Sequence, residues 1–277
     1  MQTWHTTRFT IDLSRPRVMG IVNVTPDSFS DGGRHADTVA ALKHAQRLVE
    51  EGADILDIGG ESTRPGAPSV SVDEEWARIE GVLRAAMAWG VPLSIDTCKA
   101  EVMQRALDLG ADIINDVKAL GAPGALEAVS QHPSCGVCVM HMKGSPATMQ
   151  DAPAYTDVLD EVRHFLRSRL HALTTAGIGL ERITLDPGIG FGKTPQHNLE
   201  LLRRQGELQD LGRPLLLGWS RKSTLGELTG RPVEQRLAAS LAAALAAVQK
   251  GAAVVRVHDV AQTVDALRVW GATGLLD

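Results

Sequence analysis

"EEGADILDIGG" (50–60), "LGADIINDV" (109–117) and "KGAAVVRVHDV" (250–260) are three versions of one step. Each follows a helical pattern, sets down a glycine (Gly52, Gly110, Gly251) and runs on into small and β-branched residues. Glycine suits the position just past a helix, where the backbone turns left-handed. The apolar run behind it suits a strand buried on both faces of a parallel sheet. The step recurs less literally at "WGVPLSID" (89–96), "AGIGLERITLD" (176–186) and "LGRPLLLGWS" (211–220). With "RVMGIVNV" (17–24) and "GVCVMHM" (136–142), eight strands are expected, centred near residues 21, 56, 94, 114, 138, 184, 216 and 255. Helical patterns fill the gaps at 38–51, 73–89, 101–109, 157–176, 195–211 and 233–250. Strand–helix alternation of this length reads as an α/β protein, most simply a (β/α)8 TIM barrel spanning residues 1–277 as a single domain. An open, doubly wound sheet is the alternative. The stretch "TWHTTRFTIDL" (3–13) is expected to form a short N-terminal β-hairpin that plugs the barrel's N-terminal end.

Composition narrows the function. The net charge is −5 with no basic stripe, which argues against nucleic acid as a partner. No stretch approaches the 18 or so apolar residues of a membrane span. The opening "MQTWHTTRFTIDLSRPR" has no apolar signal core, so a cytoplasmic protein is expected. The cysteines Cys98, Cys135 and Cys138 are odd in number and read as free thiols. "CGVC" (135–138) has metal-like spacing, but no second pair completes a zinc site. Helix 233–250 is alanine-rich on nearly every face, which serves either packing against the barrel wall or a subunit contact.

In a TIM barrel, chemistry sits at the C-terminal ends of the strands, and all eight expected ends carry polar residues. They are Asn23, Thr25 and Asp27; Asp57, Glu61, Thr63 and Arg64; Asp96; Asn115 and Asp116; His141 and Lys143; Asp186; Ser220, Arg221, Lys222 and Ser223; and Arg256, His258 and Asp259. Gathering such groups in an apolar mouth costs desolvation unless a ligand uses them. Asp96, Asn115 and Asp186 suit a flat ligand with a donor-rich, guanidine-like edge. Lys222, Arg256 and His258 lie on the last two strands, where barrels often bind phosphate. Asn23 closes beside them and suits a phosphate oxygen or a Mg²⁺ ion bridging phosphates. The loops "TPDSFSDGGRH" (25–35) and "ESTRPGAPSV" (61–70) follow strands and so lie at the same face.

"LDPGIGFGKT" (185–194) comes close to a phosphate-binding P-loop, but Pro187 stands where that motif needs its first glycine. Proline offers no N–H to a phosphate. Lys193 is read instead as the approach to a helix, with Thr194 as N-cap and Pro195 at its first position.

Taken in order, "NVTPDSFSDGG" (23–33), "GGESTRPGA" (59–67), "SIDTCKAEV" (94–102), "INDV" (114–117), "VMHMKGSPATMQ" (139–150), "LDPGIGFGKT" (185–194), "GWSRKSTLG" (218–226) and "RVHDV" (256–260) resemble the dihydropteroate synthase family. Lys143 stands where that family commonly has Gln. The resemblance implies a homodimeric barrel that joins 6-hydroxymethyl-7,8-dihydropterin pyrophosphate to 4-aminobenzoate in folate biosynthesis, with Mg²⁺, and that sulfonamides target by mimicking the aminobenzoate. It implies that Asp96, Asn115, Met140, Asp186, Lys222 and Arg256 bind the pterin. Asn23, Arg256 and His258 are implied for the pyrophosphate, with Asn23 contacting the metal. Phe29, Thr63, Arg64, Pro65, Phe191, Lys222 and Ser223 are implied for the aminobenzoate pocket. Asn23, Asp96, Arg256 and His258 are the residues implied in catalysis. Two rivals are a methyltetrahydrofolate methyltransferase, which shares the barrel and pterin slot, and a catalytically silent paralogue that only binds.

Overall fold

Two short strands, β1 (Thr3–His5) and β2 (Thr10–Asp12), pair antiparallel ahead of eight strands that run parallel. The eight are β3 (Arg17–Asn23), β4 (Ile55–Gly59), β5 (Leu93–Asp96), β6 (Ile113–Asp116), β7 (Gly136–Met140), β8 (Ile183–Asp186), β9 (Leu215–Leu217) and β10 (Ala252–Val257). They close into a barrel in chain order, with β10 hydrogen-bonded to both β9 and β3. The computed structural model describes residues 2–25, 33–62, 69–144, 149 and 152–274, without the side chains of 33–37. Phe29, Thr63, Arg64 and Pro65 lie outside the described residues.

The helices are α1 (Gly33–Glu50), α2 (Val72–Ala86), α3 (Ala100–Asp108), α4 (Ala125–Ser130), α5 (Val158–Thr175), α6 (Pro195–Arg204), α7 (Ser223–Thr229), α8 (Leu237–Gln249) and α9 (Val260–Ala272). The three repeated glycines do what the sequence asks of them. Gly52, Gly110 and Gly251 have φ of 98°, 95° and 91°, and each turns the chain from a helix into the next strand. Ser71 and Asp157 cap α2 and α5 through their side chains.

Two expected helices are broken. The stretch expected as 195–211 is α6 followed by a 3₁₀ segment, Gln205–Leu211. The stretch expected as 233–250 begins with a 3₁₀ turn, Val233–Gln235, and turns α-helical only at Leu237. Pro232 explains the second start, since it fixes φ but cannot carry a helix back through itself.

Side chains alternate across each strand, and two apolar clusters show which face is which. Leu56, Ile58, Leu93, Ile95, Ile114, Val137, Val139, Ile183, Leu185, Val255 and Val257 pack outward with the helices. Met19, Ile55, Ile113, Cys138, Leu216 and Val254 fill the lower interior with Trp4, Ile11 and Leu13 from the hairpin. Moving two residues up from the inner-facing Ile55, Ile113 and Val254 gives Asp57, Asn115 and Arg256. The same pleat that seals the bottom with hydrocarbon therefore delivers polar groups to the top.

The hairpin is a plug with its own anchors. Trp4 is fully buried and donates through Nε1 to the Arg182 carbonyl at 2.9 Å. Arg8 forks onto the buried Asp112, with Nη2 to Oδ2 at 2.5 Å. Asp112 also accepts from the backbone N–H groups of Arg8 and Leu93. Trp4→Ala is expected to lower unfolding stability by about 3–5 kcal/mol, read as a lower urea midpoint. Trp4 lies at the end of the barrel opposite the strand C-termini; an unchanged midpoint would show that the plug bears no load.

Candidate functional site

The carboxylate of Asp57, two residues above Ile55 on β4, is wholly buried and holds three groups from three other strands. Ser94 Oγ on β5 donates to its Oδ1 at 2.6 Å. Asn115 Nδ2 on β6 and Arg256 Nε on β10 donate to its Oδ2 at 3.1 and 2.6 Å. Arg256 then reaches Asp96 on β5, with Nη2 to Oδ2 at 2.8 Å. Its guanidinium thus bridges two carboxylates, a charge-assisted fork in the geometry that arginine favours. Asn115 gives one N–H to Asp57, which orients its amide and leaves its carbonyl oxygen and second N–H for other contacts.

Across the mouth, Met140 ends β7 beside Asp186, which ends β8. The Asp186 Oδ1 accepts from the Gly188 N–H at 2.7 Å, which fixes the carboxylate's orientation. Lys222, just before α7, places Nζ 4.1 Å from the centroid of the Phe191 ring. It lies closely over Gly190, where a Cβ would meet the lysine Cδ at 3.1 Å. The residue before it, Arg221, has φ 59°, an uncommon conformation for a non-glycine. It is held by hydrogen bonds from its N–H to Ser240 Oγ and from Arg236 to its carbonyl.

Burial sets the electrostatics. It pushes Asp96 above its ordinary value against the pull of Arg256, with Asp57 adding to the rise. Asp186 is raised by burial against the Gly188 N–H, Lys222, Lys193 and Arg256. Burial lowers Lys222, and Asp186 holds it up. Burial alone would lower Arg256 as well, but Asp57 and Asp96 more than offset it. Lys222 and Arg256 keep some contact with solvent, which tempers both shifts. The result is a partly dry mouth in which acceptors and cations sustain one another's charge.

The remaining expected residues fall around this core. Asn23 ends β3, half-buried, in register with Gly59. His258 follows β10, with Nδ1 3.0 Å from Ser220 Oγ. Ser223 opens α7 at the exposed rim. Several other strand-end residues serve structure. Asp116 accepts from the N–H groups of Lys118 and Leu120 as a turn cap. Arg221 pairs with Asp259, and Lys143 with Glu161. Cys135 and Cys138 are buried, and no cluster of three or more His, Cys, Asp or Glu fit to hold a metal occurs among the described residues.

Two roles are new at this stage. Asp57, noted from sequence only as a strand-end polar residue, is the hub of the network. Lys193, read as the approach to a helix, is 2 % exposed and sits at the centre of a second hub. Thr194 does cap α6, with Pro195 at its start. No local signal marks Lys193 in the sequence, because its acceptors are backbone carbonyls and a histidine distant along the chain.

Comparison with known proteins agrees with this geometry. The profile of the family described as pterin binding enzyme matches residues 19–258. The dihydropteroate synthase of Neisseria meningitidis serogroup B is 54% identical over 278 residues, covering 98% of each chain. A structure of the Xanthomonas albilineans dihydropteroate synthase with 4-aminobenzoic acid superposes with a TM-score of 0.92 at 53% identity, covering 99% of both chains. That of Burkholderia cenocepacia complexed with 7,8-dihydropteroate gives 0.89 at 50% identity, covering 99% of this chain and 96% of the other. A barrel whose mouth joins an acceptor-lined slot to a cationic rim, matched to these proteins along nearly its whole length, belongs to the dihydropteroate synthase family of pterin-binding enzymes.

Proposed function

We propose that the chain is a transferase that condenses 6-hydroxymethyl-7,8-dihydropterin pyrophosphate with 4-aminobenzoate, releasing 7,8-dihydropteroate and pyrophosphate. The observation that carries this reading is the Arg256 fork. Through it, one cation is held between the Asp57 and Asp96 carboxylates of the slot, on the strand that leads two residues on to His258. The 2-amino-4-oxo edge of the pterin donates to Asp186, with the Asn115 carbonyl and Asp96 completing the in-plane contacts and Met140 beneath the ring. Lys222 donates to the acceptor side of the ring. The aminobenzoate stands against Phe191 near Lys222 and Ser223.

The bond that breaks joins the pterin methylene to a pyrophosphate oxygen. Negative charge grows on the leaving group, and Arg256 and His258 stabilise it there. Positive charge grows on the methylene, and Asp96 and Asp186 favour it. The substitution is accordingly dissociative, and the arylamine attacks through a lone pair that is already free at neutral pH, so no general base is needed. Asn23 fits a Mg²⁺ role of limited extent. A single amide oxygen matches an ion carried mainly by phosphates and water, and there is no carboxylate cluster among the described residues to hold one outright. Mg²⁺ bound there supplies charge neutralisation of the pyrophosphate.

The same reading extends to a homodimer in the cytoplasm. Leu228, Val233 and Leu237 are exposed together around the start of the alanine-rich α8, an apolar surface that a second copy would cover. Free thiols at Cys98, Cys135 and Cys138 suit a reducing compartment. A charge at Leu237 tests the dimer: Leu237→Glu should shift the mass in sedimentation from dimer to monomer, and an unmoved dimer would place the contact elsewhere.

A pyrophosphate-release assay with and without 4-aminobenzoate tests the activity itself. Release that requires the aminobenzoate is expected; no release with both substrates would leave only a binding protein. Two substitutions separate the half-sites. Asp186→Asn should weaken pterin binding by at least about tenfold. His258→Ala should lower turnover far more than pterin affinity. In the unsubstituted protein, pterin affinity should begin to fall on acidification at a pH above the ordinary carboxylate range, because burial raises Asp186 and protonation removes its acceptor charge. A pterin affinity in Asp186→Asn equal to that of the unsubstituted protein would remove Asp186 from the slot.

A further inference from the structure

Lys193 is the least exposed lysine of the site region, and its ammonium is surrounded by acceptors. Nζ lies 2.9 Å from the Gly188 carbonyl, 3.0 Å from the Phe191 carbonyl, 2.9 Å from His141 Nδ1 and 3.4 Å from the His141 carbonyl. Burial takes His141 down to about 3, so its ring is neutral and Nδ1 accepts when Nε2 carries the proton. The ring is fixed in turn by Phe165, edge-on at 5.0 Å between centroids.

These contacts fall on the short turn that carries both substrate-facing groups. At its start, Gly188 donates its N–H to Asp186 Oδ1 and accepts from Lys193 Nζ at its carbonyl, through the peptide groups on either side of its Cα. At its end, the Phe191 carbonyl goes to Lys193 while its ring meets Lys222. The turn has no room to move sideways. A Cβ at Gly188 would sit 1.9 Å from the His141 carbonyl, and one at Gly192 would sit 2.3 Å from that of Lys143, with both glycines at positive φ. The chain is thus pressed against the end of β7, and Lys193 ties the two together from inside.

We propose that Lys193 is a positioning residue that couples the two substrate half-sites, orienting Asp186 through Gly188 and Phe191 through its carbonyl. This rests on the reading that Asp186 takes the pterin and Phe191 the aminobenzoate. The lysine has no line to either substrate; it acts by holding one turn in the shape both require. Its charge has a second effect. Asp186 is faced by Lys193 after β8, Lys222 after β9, Arg256 on β10 and Cys138 on β7. Burial lowers Lys193 itself to about 7, with Asp186 holding it up, and when protonated it is one of the three cations that oppose the burial-driven rise of this carboxylate.

Lys193→Met keeps the length and removes the donors. In the folded variant, the dissociation constant of a non-reactive pterin analogue and the KM for 4-aminobenzoate should both rise, each by about tenfold. The acid limb of pterin binding should move to higher pH, because Asp186 loses a cation that lowers its pKa. Placed on Phe191→Ala, Lys193→Met should add less than about twofold to the aminobenzoate KM, since both changes act through the same ring. A variant that melts lower but binds both ligands within about twofold, with the acid limb unmoved, would reduce Lys193 to fold stability. A full tenfold loss added on Phe191→Ala would break the link through Phe191. If Lys193→Met does not fold, His141→Leu removes one acceptor and should give the same pair of losses at roughly threefold; unchanged affinities there overturn the proposal. Phe191→Ala and Asp186→Asn alone serve as the control on the underlying reading. If neither affects its own ligand, the site assignment fails rather than the role of Lys193.

Discussion

The guanidinium of Arg256, forked between Asp57 and Asp96, is the constraint on which the rest of the mouth depends. Three buried carboxylates stand on the inner face of one barrel, and their mutual repulsion and lost hydration would be prohibitive without cations among them. Arg256, Lys222 and Lys193 supply those cations, each from a different strand end. Breaking such a pair leaves a buried charge unpartnered, which is costlier than never having built the pair. The network therefore fixes which atoms face outward. Asp57 is used up internally, while the Asn115 carbonyl and the remaining oxygens of Asp96 and Asp186 are left for a ligand.

The fold makes this arrangement inexpensive in chain. A single pleat puts Ile55, Ile113 and Val254 at the bottom and Asp57, Asn115 and Arg256 two residues above them. Hydrocarbon seals one end, with Trp4 as the stopper, and charge occupies the other. Closure brings β10 beside β3, with Arg256 in register with Met19, so Arg256, His258 and Asn23 lie on neighbouring strands although more than two hundred residues of chain separate them. This adjacency puts the acceptor-lined slot and the cationic rim at one mouth.

Much of this was legible in the residues. The repeated glycine step located the strands, and all eight expected centres fall within observed strands because a buried parallel strand has few other ways to read. Alternation was the overlooked cue. The order Ile-Leu-Asp-Ile in 55–58 already says which side of the strand Asp57 is on, yet a continuous apolar run invites a reading with no sides. Polar residues at strand ends were overcounted for the opposite reason. Asp116 caps a turn and Arg221 pairs with Asp259, and neither role leaves a mark in the local sequence. Lys193 was hidden most completely. Its acceptors are two backbone carbonyls and a histidine 52 positions away, and backbone carbonyls carry no sequence signature.

The claim that one shared cation unites the slot and the rim is tested most directly at Asp57, which holds Arg256 but is left with no oxygen to offer a substrate. Asp57→Asn keeps the shape and removes the charge that orients the fork. Isothermal titration with a pterin analogue and with pyrophosphate, on the same folded variant, should show both affinities weakened, each by about tenfold or more. If one ligand binds as it does to the unsubstituted protein while the other does not, the slot and the rim are independent, and the account of Arg256 as their common element is wrong.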